Sequence, residues 1–286
     1  GEVTATNVGG SVVIDSNDSV IKMPSLFRAS LPLDHVMGAL SWTQDKQGIA
    51  LRSEGLAVEN ADGKLQASLQ LNVPTQGEPN IDMRAVVQDF AVQATSRYLP
   101  AGIMHEHVLN WLDSAFVTGK VVNAEAILKG PLKKFPFRQQ EGEFLVKTQI
   151  EDLTLQYQKG WQPATGLKVA AEFHNAGFTA VATAGNLNGL SVEQVEGGIK
   201  DFRESQLWIK GRVSGSVAQG LSYVQRSPLG PKIGDLFQRL SGKGLLQAQV
   251  SMDFPLHHMD RHKVDVDLAL TKATLAVSDI PQPVSE

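Results

Sequence analysis

The chain is dominated by stretches in which apolar and polar residues alternate one by one. Between positions 246 and 254 every even position is apolar and every odd position is polar, and positions 264–270 repeat the pattern with Ala269 as the exception. Because successive side chains of a strand point to opposite faces, both stretches predict strands with one apolar and one polar face.

A third clear alternation begins at Phe144, and it changes phase once. Phe144, Val146 and Ile150 lie at even positions. The phase shifts at Glu151-Asp152, and the alternation resumes at residue 153 with apolar residues at odd positions. The shift predicts a β-bulge. Weaker alternation at 49–58, 65–73, 167–173 and 207–213 predicts further strands, and Asp62-Gly63 predicts a hairpin turn.

Three segments have a helical period instead. The first predicts a helix of about four turns from Pro100, with Gly119 as its C-terminal cap. The second follows Ser216, a good N-cap residue, and ends before Pro228. The third runs from residue 231 to 242.

The predicted fold class is therefore mainly β, with a few short helices. Each strand presents an apolar side, and burial stabilises such a side by roughly 25 cal/mol per Å². Three short helices are too few to cover all of them. Either a second sheet packs against the first, as in a sandwich, or the sheet curls around a groove that a hydrophobic ligand fills.

Composition and charge exclude several classes of protein. The 286 residues contain no cysteine, which excludes disulfide scaffolds, iron–sulfur clusters and thiol chemistry. Lys and Arg total 26 against 30 Asp and Glu, without a basic block, so we expect no nucleic-acid partner. The chain opens on Gly1 without a signal-peptide pattern, which suggests a segment of a larger protein.

Candidate chemistry is sparse. The sequence has neither a phosphate loop nor a nucleophile elbow, so we expect no enzyme activity and no cofactor. The histidines and aspartate between residues 257 and 262 are the one concentration of metal-type ligands, and we interpret them as a solvated turn. Glu151 and Asp152 are adjacent strand residues, whose side chains diverge unless a bulge intervenes.

Several motifs in order resemble the bacterial AsmA-like family, and within it the YhdP group of large envelope proteins. The matching set runs over about two-thirds of the chain. It comprises Tyr98-Leu99-Pro100, Trp111-Leu112, Gly119, Gly130-Pro131-Leu132, Phe135-Pro136-Phe137, Gly142, Phe144, the strand from Leu153 to Tyr157, Trp161 and Ser227-Pro228-Leu229. One departure is Gln162, which separates Trp161 from Pro163 where the family is expected to have an adjacent Trp-Pro.

The resemblance implies an elongated, curved and twisted antiparallel β-sheet that forms a hydrophobic groove. It implies a periplasmic location, with an inner-membrane anchor helix outside this chain, and a role in passing phospholipids between inner and outer membranes. It implies two β-groove segments, at 1–130 and 131–286, membrane contacts through parts outside the chain, and envelope protein partners.

If acyl chains slide along the apolar side of such a sheet, the strongest alternating strands supply the lining. The expected lipid-binding residues are Phe144, Val146, Ile150, Leu167, Val169, Phe173, Leu246, Val250, Met252, Val264, Val266 and Leu268. Each would equally suit an ordinary core. Two alternatives therefore stay open: an envelope scaffold with a closed β-sandwich core, and a carbohydrate-active enzyme with a carboxylate pair in a cleft.

Overall fold

Every strand that the structure describes pairs with its neighbours in sequence. In the computed structural model, which describes residues 1–277, this pairing produces one fourteen-stranded antiparallel sheet in the order β1 to β14, with β1 and β14 as its edges. The strands are β1 (Glu2–Thr6), β2 (Gly9–Ile21), β3 (Leu31–Gln44), β4 (Gly48–Asn60), β5 (Gly63–Pro74), β6 (Asn80–Ala91), β7 (Phe116–Pro131), β8 (Glu143–Leu155), β9 (Ala164–His174), β10 (Gly177–Leu187), β11 (Leu190–Ile199), β12 (Gln206–Ser216), β13 (Leu240–Pro255) and β14 (Lys263–Val277).

The connections between strands lie alternately at two ends of the sheet. The hairpin end contains the connections 7–8, 45–47, 75–79, 132–142, 175–176, 200–205 and 256–262. The helical end contains the connections 22–30, 61–62, 92–115, 156–163, 188–189 and 217–239. All α-helices of the described residues lie at the helical end: α1 (Thr95–Tyr98), α2 (Glu106–Ala115), α3 (Val217–Gln225), α4 (Gly230–Ile233) and α5 (Asp235–Gln238).

The two faces of the sheet differ in chemistry. The apolar face carries Phe144, Val146 and Ile150 of β8 together with the residues that pair with them across the sheet. The polar face carries the residues between them, such as Lys147, which lies opposite Glu172 of β9. This is the arrangement that alternation predicts for a sheet covered on one side.

The tightest packing lies where the apolar face approaches the helical end. One cluster joins Ile150 and Leu153 of β8 to Leu167 of β9, Val192 of β11 and Val92 of the turn after β6. A second cluster places Val217 of α3 on Leu190 and Leu246. The core is thus built between one end of the sheet and the connections that fold onto it.

The strand predictions are confirmed. The alternating stretches fall within β4, β5, β8, β9, β12, β13 and β14, and Asp62-Gly63 forms the β4–β5 turn. The phase shift in β8 is a bulge, since the pairing slips between Ile150 and Leu153 and Asp152 has a φ of 51°. The mainly-β antiparallel fold with a few short helices is also confirmed.

Two of the three helix predictions are wrong in extent. The first helix begins at Glu106 and ends at Ala115, and Gly119 lies inside β7 because the chain turns directly from helix to strand. The third is split into α4 and α5 at Gly234, whose φ of 104° interrupts the helical backbone. The second helix is confirmed: Ser216 and Gln219 form a capping box at the start of α3.

A two-sheet sandwich is not formed by the described residues, because all their strands belong to a single sheet. The expected boundary at 130/131 falls at the end of β7, which pairs with β8 along most of its length. The division into two groove segments stays a prediction.

Candidate functional site

The strand register joins apolar side chains of consecutive strands into rows across the sheet. One row crosses from β6 to β14 and consists of Phe90, Val121, Ile150, Val169, Ala182, Val195, Gly211, Val250 and Val266. A second row, nearer the hairpin end, consists of Val146, Phe173, Phe178, Ile199, Leu207 and Phe254. The apolar face is therefore continuous from strand to strand.

The first half of the sheet extends the same face. A row consisting of Leu69, Met83, Leu128 and Phe144 connects β5 to β8. A further row, consisting of Trp42, Leu51, Leu71 and Ile81, connects β3 to β6. No polar strand interrupts the face between β3 and β8.

All twelve sequence-predicted site residues lie on the apolar face, but their surroundings differ. Ile150, Leu167 and Leu246 are buried in the clusters at the helical end. The half-buried members are Phe144, Val146, Val169, Phe173, Val250 and Met252. The remaining three, on β14, are exposed. The structure thus brings the predicted residues to one surface and separates them into packed and accessible groups.

The edge strand β14 leaves a strip of apolar side chains open to solvent. Val264, Val266 and Leu268 are 48%, 50% and 60% exposed. They pair with Met252, Val250 and Ala248 of β13, so the strip continues the apolar face. A contiguous exposed apolar surface is typical of a site that contacts another molecule.

Helix α3 covers the apolar face at the helical end. It packs closely because Gly220 has no side chain: a Cβ there would lie 2.6 Å from Cδ2 of Leu246. The hydroxyl groups of Tyr223 on α3 and Tyr157 in the β8–β9 connection form a hydrogen bond of 2.6 Å. Burial raises the pKa of both phenols, so both are neutral at pH 7.

Further side chains connect the loops of the helical end to one another. The Arg28 guanidinium donates to both carboxylate oxygens of Asp113 at 2.6 and 2.7 Å, which ties the β2–β3 connection to α2. The indole of Trp111 donates to the Tyr157 carbonyl oxygen at 3.0 Å. These contacts form a chain from the β2–β3 connection through α2 and Tyr157 to α3.

Phenylalanines gather at the hairpin end of the apolar face. The Phe173 ring lies 4.6 Å from that of Phe178 and 6.4 Å from that of Phe202. The Phe135 ring lies 5.3 Å from that of Phe144 in an edge-to-face contact. Phe135 and Phe202 are 44% and 42% exposed, so this aromatic margin is open to an additional apolar group.

A polar pocket of about 460 Å³ lies beside this aromatic margin. It is lined by Phe137, Arg138, Gln140, Gly142, Glu143, His174, Asn175, Ala176, Lys200 and Asp201. Arg138 donates to both oxygens of Asp201, with its Nε 3.0 Å from Oδ2. This guanidinium and the backbone N–H of Arg203 lower the pKa of Asp201 to about 2.

The polar face is covered by half-exposed ion pairs between neighbouring strands. Lys64 lies 3.1 Å from Glu59, Lys129 lies 3.1 Å from Asp82, and Lys147 lies 3.6 Å from Glu172. Pairs of this kind stabilise a fold by less than about 1 kcal/mol each. Their effect is to keep this face solvated, in contrast to the apolar face.

Sequence reasoning missed Phe178 and Ile199, which occupy the centre of the second row. They lie on β10 and β11, where the neighbouring positions of the apolar face are occupied by the small residues Ala180, Ala182 and Gly197. Small residues weaken the hydrophobic alternation although the face stays apolar. The available signal was the period of two itself, counted with alanine and glycine as members of the apolar set.

No helix of residues 1–277 is long and apolar enough to cross a membrane. Within the same residues, no group of three or more His, Cys, Asp or Glu side chains is placed to hold a metal ion.

The chain is 24% identical over 238 residues to a curated relative from Escherichia coli (strain K12), the intermembrane phospholipid transporter YhdP. The match covers 82% of this chain and 19% of the relative, so the chain spans about a fifth of the relative's length. No solved structure gave a significant match. The family model described as YhdP protein matches residues 1–286, and the chain therefore belongs to the YhdP family.

Proposed function

We propose that this chain is a segment of a bridge-like lipid transfer protein, and that it conducts phospholipid acyl chains along its apolar face between the inner and outer membranes of the bacterial envelope. The role is one of binding and passage, without catalysis. The name of the curated relative supports a phospholipid as the cargo.

The observation that carries the proposal is the continuity of the apolar face. Acyl chains gain roughly 0.8 kcal/mol for each CH₂ group that leaves water. A face whose apolar rows cross strand after strand offers similar contacts at each position along the sheet. The binding free energy of a lipid is therefore similar at successive strands, and the lipid can move from one strand to the next without a large barrier.

The covered helical end determines which path the lipid would take over the sheet. The clusters around Leu153 and Val217 occupy the helical end, so passage would run across the strands and along the hairpin side of the face. The twelve site residues would then contribute unequally. Accessible members such as Val250 and Val266 would contact lipid, and Ile150, Leu167 and Leu246 would support the wall.

The proposed location is the periplasm, with the membrane anchor and the contacts to both membranes in other parts of the protein. Envelope protein partners would meet the protein on surfaces other than the apolar face. The polar face, with its solvated ion pairs, suits exposure to an aqueous compartment.

Site-specific photo-crosslinking tests the proposal. A photoreactive residue is introduced at Val266, or at Val250 opposite it on β13. The protein is produced in bacteria and directed to the envelope, and crosslinked lipid is then detected by mass spectrometry. We expect both positions to capture phospholipid, because both lie on the accessible part of the apolar face.

The matched control uses the neighbouring pair on the polar face. Gln249 and Asp267 also pair across β13 and β14, and each is one residue from a test position. We expect little or no capture there. Equal capture on both faces, or none at Val250 and Val266, would overturn the proposed function.

A further inference from the structure

The strand ends around the polar pocket share a repeated arrangement of polar residues and phenylalanines. Glu143 precedes Phe144, His174 follows Phe173, and Asp201 precedes Phe202. In each case the polar residue lines the pocket and the phenylalanine belongs to the aromatic margin of the apolar face. Polar and apolar surfaces therefore meet at the same three strand ends.

The charges in the pocket are unevenly satisfied. Arg138 is held by Asp201, and Arg203 also approaches Asp201, at 3.6 Å. Lys200 lines the pocket as well, and it forms no ion pair within residues 1–277. Glu143 of the same lining is likewise outside the ion pairs of residues 1–277, so the pocket combines an available ammonium group and an available carboxylate with the paired Arg138 and Asp201.

We propose that this pocket binds the phosphodiester headgroup of a phospholipid whose acyl chains lie on the neighbouring phenylalanines. Lys200 contacts the phosphate, and Arg138, whose Nε and Nη2 are held by Asp201, adds its remaining N–H donors. Glu143, in the same pocket, suits an ammonium group on the headgroup. The inference rests on the proposed function, and it assigns the headgroup to the hairpin end.

The location of the pocket at the strand ends favours an amphiphilic ligand over a free anion. The pocket lies where the strands end, so a ligand reaches it from the apolar face by passing over a strand end and not through the sheet. Phe202 stacks on Phe173 of the apolar face and follows Asp201 of the pocket directly in sequence. A molecule with an apolar and an anionic part uses both surfaces at once, whereas phosphate alone uses one.

Binding of three soluble probes to the 286-residue chain distinguishes these ligands. The probes are dihexanoyl phosphatidylethanolamine below its micellar concentration, glycerophosphoethanolamine, which has the same headgroup without chains, and inorganic phosphate. Dissociation constants come from calorimetric titration. We expect the dihexanoyl lipid to bind tightest, and Lys200→Gln to weaken its binding about tenfold, because one charge-assisted contact is lost.

Lys210→Gln is the matched control. Lys210 is also an exposed lysine outside the ion pairs, but it lies in the middle of β12 on the polar face. We expect it to bind the dihexanoyl lipid like the unchanged chain. Circular dichroism of both variants confirms that they are folded, since each substitution is on the surface.

The remaining outcomes each decide the proposal. Unchanged lipid binding in Lys200→Gln would overturn the pocket as a headgroup site. Inorganic phosphate binding as tightly as the lipid, with the same loss in Lys200→Gln, would make it a free-phosphate site. Crosslinking at Val250 and Val266 reports on the acyl path alone, so it separates failure of this pocket from failure of the proposed function.

Discussion

The helical end and the hairpin end of the sheet are built from the same strands but are covered differently. At the helical end, the connections fold onto the apolar face, and Val92 and Val217 from these connections are only 1% and 4% exposed. At the hairpin end, the connections remain beside the strand ends, and their Phe135 and Phe202 keep more than 40% of their surface exposed.

The difference shows how one sheet can combine stability with an accessible surface. Long connections with helical segments supply apolar side chains that cover one end of the face, and hydrogen bonds such as that between Tyr157 and Tyr223 hold them there. The connections of the other end contribute Phe135 and Phe202, whose rings contact only the margin of the face and stay largely exposed. Phe137, which is fully buried, is the exception, and its ring packs against Gly130 near the end of β7 and Gly142 of its own connection.

The largest expected effect tests whether the two ends differ in packing. Leu153→Ala removes a side chain that is 2% exposed in the cluster of the helical end. We expect it to lower the free energy of unfolding by about 3 kcal/mol, because it leaves a cavity in a packed core. Urea unfolding followed by circular dichroism measures the loss.

The comparison variant is Leu128→Ala, on the row that leads toward the hairpin end. Leu128 is half-buried between Met83 and Phe144, so we expect a loss of about 1 kcal/mol. Equal losses in the two leucine variants would show that the ends are packed alike and would remove the basis of the comparison.

A smaller effect tests how α3 is held on the apolar face. Tyr223→Phe leaves the part-buried Tyr157 hydroxyl without its partner, and we expect a loss of about 1 kcal/mol. The double variant Tyr157→Phe/Tyr223→Phe removes both hydroxyl groups and should be more stable than the sum of the single changes predicts. Strictly additive losses in the unfolding experiments would contradict this role.

The smallest effect concerns the ion pair of the hairpin end and depends on pH. Asp201 has a pKa of about 2 in the folded chain against an ordinary value of 3.8, so the folded state binds its proton less readily than the unfolded state. Its stabilising contribution is therefore complete above about pH 5 and is lost as the pH falls through 4 toward 2.

Asp201→Asn measures that contribution. We expect the variant to be less stable than the unchanged chain by about 1 kcal/mol at pH 7, with the gap closing near pH 2. Melting temperatures of both proteins between pH 7 and pH 2 provide the test. A gap that stays constant over this range would mean that the carboxylate charge of Asp201 does not stabilise the hairpin end.

Strands were predictable because alternation is a local signal. The bulge at Asp152 followed from one break in the period, and the cap at Ser216 from the residue type that begins a helix. The helix predicted after Pro100 was wrong at both ends. Its C-terminal end was wrong because the sequence contains no sign that the chain passes directly from α2 into β7 at Phe116. Gly119 looked like a cap, but it lies in β7 opposite the bulged part of β8.

The sequence predicts which face of the sheet carries the candidate site, but not which part of that face stays accessible. Period two determines which side chains share a surface within a strand, so all twelve predicted residues lie on one face. It does not determine which of them a helix will cover. Leu246 and Val250 look equivalent in the sequence, yet Leu246 is buried beneath α3 and Val250 is not.

The sequence by itself determined the mainly-β class, the chemistry of the two faces and the family resemblance, because each depends on residue types at short spacing. Only the tertiary structure decided that the strands form one sheet in sequential order, that the helical end is covered and the hairpin end open, and that Arg138, His174 and Lys200 meet in one pocket. Those features depend on contacts between residues far apart in the chain, such as Arg138 and Asp201, and no local pattern contains that information.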